Sequence, residues 1–227
     1  MEKLKIDQAI GMLRLQEKMN STVNPDWLHA GYPFLRAVVI EAAEALEHYG
    51  WKWWKNQSAD LAQVQIELID ILHFMLSASI IDAQGNIEEA AKAIAWQSDP
   101  ELDEIQFDGK TYSLKEENIR FLLELMAGLA VSRRSSYALL EASFRACDMD
   151  WNIAITQYTS KNVLNIFRQA NGYKEGTYIK EWNGKEDNVH LVDIVTALDS
   201  KKSSFSEDLY LKLESAYQTI KSQALSK

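Results

Sequence analysis

Cysteine is nearly missing from this chain. Of 227 residues only Cys147 carries a thiol, which excludes an internal disulfide framework and fits a reducing compartment. Proline and glycine are scarce as well, with three and nine copies, so little interrupts a composition rich in Leu, Ala, Glu, Lys and Ile that favours long helices over many short strands. No apolar run is suited to span a bilayer: the longest, "IELIDILHFMLSASII", has 16 residues and carries Glu67, Asp70 and His73. The start, "MEKLKIDQAIGML", contains acids and no continuous apolar stretch, and it does not read as a signal peptide. Positive charge is also short. With 24 Lys and Arg against 33 Asp and Glu the net charge is −9, which argues against a nucleic-acid polymer as partner, because that affinity is built from many cationic contacts to phosphates. A small anion would need metal ions or a local basic cluster to offset the overall field. These absences describe a soluble, cytoplasmic protein with no membrane partner.

What is present is a large supply of core. Hydrophobic residues make up 47% of the chain, enough for one sizeable all-α domain over 1–227. Apolar positions Ile6, Ile10, Leu13 and Met19 predict a first helix that ends near "NSTVNPDW". Pro33 opens a second to about Tyr49, with Gly50 as its C-terminal cap, and Ser58 caps a third that runs to about Asp82. Further helices are expected over about 86–97, 115–131, 136–147, 150–168, 188–199 and 205–222. Between the fourth and fifth, residues 98–114 are acidic and broken and read as a surface linker or insertion, with Asp108-Gly109 able to make a tight hairpin turn.

The chemistry sits on the second and third helices. Glu41 and Glu44 are one turn apart on one helical face, and Glu67 and Asp70 repeat the arrangement. The third helix is apolar on nearly every side, leaving Gln63, Glu67, Asp70, His73 and Ser77 as one polar stripe. A solvated helix face is the ordinary explanation of an E-x-x-E pair. It suits this helix poorly, because four carboxylates between packed helices repel one another and lose hydration, and must take up protons or bind cations. Oxygen ligands alone favour Mg²⁺ or Mn²⁺ over zinc, and Mg²⁺ keeps positions for waters or substrate phosphates. Phosphoryl chemistry follows, with a glutamate able to accept a proton from an attacking water. A di-iron bundle would need two E-x-x-H motifs, and only Asp70-x-x-His73 approximates one.

Two further clusters carry aromatic and basic groups. "GWKWWK" sets Trp51, Trp53 and Trp54 among lysines directly after the second helix, where indoles can wall a base and Lys52 or Lys55 can meet phosphate. Tryptophans at such a junction more often clamp the core. In "KNVLNIFRQANGYKEGTYIKEWNGKEDN", Lys161, Asn165 and Arg168 share a helical face, and the glycine-bearing loop beyond holds Lys174, Lys180 and Lys185. Lysines in such loops are usually only solvated. His48 and His73 read first as packing residues.

With these motifs together, the sequence resembles the dimeric, all-α dUTP diphosphatases within the wider all-α nucleotide pyrophosphohydrolases. The matching residues are Glu41, Glu44, Glu67 and Asp70, the "GWKWWK" signature, Leu15, Gln16 and Asn20 of an early L-Q-x-x-x-N element, and the late "NIFRQANGYKEGTYIKEWNGKEDN". The resemblance spans about residues 12–82 and 160–191 and departs at Ala170, where relatives carry a polar or acidic residue. It implies a homodimer that hydrolyses dUTP and dUDP to dUMP. Glu41, Glu44, Glu67 and Asp70 would hold Mg²⁺, with Glu44 also orienting or deprotonating the water. Gln16, Asn20 and Trp54 would contact uracil, Asn165 the sugar or a phosphate, and Lys55, Lys161, Arg168, Lys174 and Lys180 the phosphates. Because an amide can exchange its donor and acceptor ends, a broader enzyme accepting dCTP stays open, as does a non-catalytic helical nucleotide-binding protein.

Overall fold

In the computed structural model, residues 3–115, 118–200, 202 and 204–225 are described, without the side chains of 223–225. The fold is all-α, 64% helical, with nine helices and two short hairpins among the described residues. In chain order the helices are α1 (Ile6–Val23), α2 (Phe34–Tyr49), α3 (Leu61–Asp82), α4 (Ile87–Gln97), α5 (Ile119–Val131), α6 (Tyr137–Ala146), α7 (Trp151–Ala170), α8 (Asp187–Thr196) and α9 (Phe205–Leu225).

Helix α3 is the axis. Its residues Leu68, Ile71, Leu72, Leu76 and Ile80 are fully buried, which requires neighbours on nearly every side, and α1, α2, α6 and α7 supply them. It is long and apolar enough to cross a membrane by length and composition, but 61% of its most apolar window is buried inside the protein. Helix α2 lies along α3 and α5 through Val38, Ala42 and Ala45, the alanines letting the backbones approach closely while Glu41 and Glu44 stay on the flank.

Local chemistry explains most helix ends. Gly50 follows α2 with φ 85°, and a side chain there would also meet Gln57. The start of α3 differs from the sequence expectation: Asp60, not Ser58, caps it, accepting from the Gln63 amide at the end of a connection that holds Ser58 outside the helix. Asn118 caps α5, so that helix begins at Ile119. The expected start at 115 is not helical at Lys115, and residues 116–117 lie outside the described ones. Within 98–114, strands β1 (Glu104–Phe107) and β2 (Lys110–Ser113) pair antiparallel around Asp108-Gly109, both with positive φ, as expected for a tight hairpin turn. A second small hairpin joins β3 (Glu181–Trp182) to β4 (Lys185–Glu186).

Two apolar cores result. The larger gathers α1 to α6 with the first half of α7, through Trp151, Ala154 and Tyr158. The smaller is built on the second half of α7, where Val163, Leu164 and Phe167 meet Trp182, Leu191 and the buried face of α9. One continuous helix therefore serves both, and the site lies at their junction.

Candidate active site

An open cleft of about 890 Å³ runs between α2, α3, α7 and α8. One wall carries Glu41, Glu44, Glu67 and Asp70, and the facing wall Lys161, Asn165, Arg168 and Lys180. Glu41, Glu67 and Asp70 each bring a carboxylate oxygen within 4.8 Å of the others, while Glu44 lines the same cleft but is exposed beside them. Burial first, then the charge of Asp70 and the nearness of Glu67 and Glu44, pushes the Glu41 carboxyl up to about 8. Burial, followed by Asp70, also raises Glu67, beside which His48 Nε2 stands 3.5 Å from Oε1. Clustered half-buried acids whose ionisation is opposed are stabilised by a cation, and three oxygen donors suit a hard divalent ion.

The cationic wall is already engaged. Lys161 donates to Asp70 Oδ2 at 2.9 Å, and Lys180 pairs with Glu186 at 3.1 Å. Arg168, only 9% exposed, forms a bidentate pair with the fully buried Asp187 (2.8 and 2.7 Å) and also donates to Asn165 and Asn188. Four of its five N–H groups therefore have protein acceptors, leaving one on Nη1 without an acceptor among the described residues. Tyr178 donates its hydroxyl to the same Asp187 carboxylate, so the pair fastens the loop after α7 to the helix. Gly172, with φ 89° and Thr177 packed against its Cα, makes that loop's first turn.

Next to the cleft lies a smaller cavity of about 240 Å³ that shares Asp70, Phe74 and Asn165 with it. Its other walls are aromatic, from Trp27, Tyr32 and Phe34, with Gln16, Asn20 and His73 as polar members. Gln16 Oε1 accepts from His73 Nδ1 (2.9 Å) and lies 3.0 Å from the Tyr158 hydroxyl, whose one proton is shared with the Met12 carbonyl (2.9 Å), Gln16 Nε2 donates to Asn20 Oδ1, and Asn20 Nδ2 donates to Ser77. Burial first, then Lys161, drives His73 down to about 3, so its ring is neutral. With Nδ1 donating, Nε2 holds a lone pair, and this buried atom has no partner among the described residues.

The structure thus brings Gln16, Asn20, Glu41, Glu44, Glu67, Asp70, Lys161, Asn165, Arg168 and Lys180 to one connected site. It does not bring Trp54 or Lys55 there. Trp54, 59% exposed, packs edge-on against Trp51 and Trp53 on the loop leaving α2, a loop held outward by the Trp51 and Lys52 contacts with Glu47. Lys55 is exposed on the same loop, whereas Lys174 stands at the rim of the site, its Nζ 3.5 Å from the carbonyl of Val23, which lines the aromatic cavity. Sequence reasoning gave no role to Phe74, Asp187 or Tyr178, and read His73 as a packing residue. Asp187 could have been found, since it sits in the matched E-D-N element.

An all-helical scaffold that sets clustered carboxylates against a basic wall, with an aromatic cavity adjoining, defines a helical enzyme of nucleotide hydrolysis. The family model described as dUTPase matches residues 9–173, and the chain belongs to the dUTPase family. Its activity is that of a dUTP diphosphatase. No curated protein matches the chain in sequence.

Proposed function

We propose that the chain, as one catalytic unit, hydrolyses dUTP and also dUDP to dUMP in a Mg²⁺-dependent reaction. The observation that carries this reading is the Glu41, Glu67 and Asp70 trio, within 4.8 Å, facing Lys161, Arg168 and Lys180 across the cleft. When bound by the trio, Mg²⁺, or Mn²⁺ in its place, supplies neutralisation of phosphate charge and a lowered pKa for the attacking water. Glu44, exposed to the cleft beside the trio, accepts the proton of that water. The P–O bond between the α- and β-phosphates breaks, releasing pyrophosphate from dUTP or phosphate from dUDP. Lys161, Lys180 and the remaining Nη1 donor of Arg168 hold the phosphates, with Asn165 at the sugar.

The aromatic cavity takes the base. Phe74 and its neighbours bury the ring, with Gln16 and Asn20 at the uracil edge. Cytosine carries an amino group and a ring lone pair where uracil carries a carbonyl and N3–H, so amides set for one edge leave unpaired groups against the other. His73 bonds Gln16 from behind and holds that amide in place. Trp54 and Lys55 lie outside the chain's own cleft.

A panel of dUTP, dUDP, dTTP and dCTP incubated with and without Mg²⁺, reading phosphate and pyrophosphate, tests reaction, base and metal together. dUTP and dUDP should turn over only with the metal. Equal turnover of dCTP would replace the uracil reading with a broader dNTP pyrophosphohydrolase. Glu44→Ala should reduce dUTP turnover by about 10²–10⁴-fold, the range of a general base, with the fold intact. Retained turnover would remove Glu44 from the mechanism. Sedimentation at micromolar concentration checks the dimer, for which a single monomer mass is the adverse result.

A further inference from the structure

The Asp70 carboxylate has two claimants. It belongs to the acidic trio, and its Oδ2 accepts from Lys161 Nζ at 2.9 Å. This is no surface ion pair of negligible worth, because the two side chains are only 13% and 21% exposed, and a half-buried pair resists separation much more than a solvated one. Lys161 extends from α7 and Asp70 from α3, so the pair bridges the basic and acidic walls of the cleft. A divalent ion on the trio and an ammonium on one of its carboxylates are like charges at close range among partly buried side chains.

We propose that Lys161 is the resident counter-cation of Asp70 and competes with a divalent cation for that carboxylate, so that loading the trio releases the ammonium into the cleft. The inference rests on the reading of Glu41, Glu67 and Asp70 as a cation site. It gives Lys161 a role before substrate arrives: it compensates Asp70 without a metal, and once released it offers its charge to the cleft where phosphates are held. Helix α7 fixes the lysine stem, so the head moves by side-chain rotation alone.

The test is a calorimetric titration of the full chain with MgCl₂ and no nucleotide. Lys161→Met keeps the length and apolar stem and removes the charge. It should bind Mg²⁺ at least tenfold more tightly than wild type, and Lys161→Arg should restore weak binding. Lys180→Met removes a charge from the same cleft without touching the trio and should shift the affinity less than twofold. Unchanged or weaker binding by Lys161→Met overturns the proposal, as does equal tightening by Lys180→Met, which would mark a general field effect. Glu41→Gln separates the two levels. If it leaves Mg²⁺ binding untouched, the trio is not the cation site; if it abolishes binding while Lys161→Met matches wild type, only the counter-cation inference fails. Should Lys161→Met fold poorly, the Lys161 ¹³Cε resonance of the wild-type protein answers the same question. It should shift in step with Mg²⁺ binding, and a resonance that stays fixed overturns the proposal.

Discussion

At the scale of residues, the site is a set of groups each held in one charge state by its surroundings. His73 is the clearest. Enclosed by α1, α3 and α7, with Tyr158 at 4.3 Å between ring centroids and Lys161 adding a repulsive charge, it is held neutral with its pKa near 3. Its folded value lies below the ordinary 6.5, so the stability it contributes is present above pH 6.5 and is lost as the pH falls from there toward 3. Urea unfolding at intervals between pH 7 and 4 should show this loss, and His73→Phe should flatten that limb. An unchanged slope would mean that other groups set the acid limit. The four acids were legible in the sequence because a helix converts an i, i+3 spacing directly into a shared face. The burial of His73 against Gln16 was not, because the two meet from different helices, 57 positions apart. The same reason hid the exposed position of Glu44: spacing gives the face of α2 but not its rotation against α3.

At the scale of elements, the boundaries followed from caps and turns, and the misses have local causes. Both Ser58 and Asp60 are good capping residues, and sequence alone ranks them without knowing where the connection from α2 releases the chain. The hairpin at Asp108-Gly109 was readable from its turn residues, whereas four-residue strands flanking it carry too little periodicity to be seen. The loop after α7 is the element with most chemistry. It folds around the Arg168–Asp187 pair, a structural role that the lysine-rich sequence did not reveal. Asp187→Ala leaves a guanidinium buried without its carboxylate and should destabilise the protein by about 3–5 kcal/mol. Tyr178→Phe deletes one hydrogen bond to the same carboxylate and should cost about 1 kcal/mol. Denaturant midpoints of the two variants check both values, and similar losses would show that Asp187 does not anchor the loop through Arg168.

At the scale of the whole molecule, acids and cations belong to different cores. Glu41, Glu67 and Asp70 stand on helices of the larger one, whereas Arg168 and Lys180 depend on the smaller, assembled mostly beyond the residues that match the dUTPase family. Helix α7 belongs to both and places Lys161 at the junction. Damage to the smaller core should therefore disable nucleotide binding while sparing the cation site. Tyr217 is the residue to test: it is fully buried, stacks on Tyr178 at 5.0 Å, meets Phe167 and Trp182, and its hydroxyl accepts from the Ile179 amide. Truncating a buried aromatic of this size costs about 3–5 kcal/mol, comparable to what a small core can lose and remain ordered. Tyr217→Ala should raise the KM for dUTP at least tenfold, yet bind Mg²⁺ in calorimetry with wild-type affinity, because no contact of Tyr217 reaches α2 or α3 among the described residues. Parallel loss of Mg²⁺ binding would mean that the two cores unfold as one cooperative unit, with α7 transmitting the damage along its length.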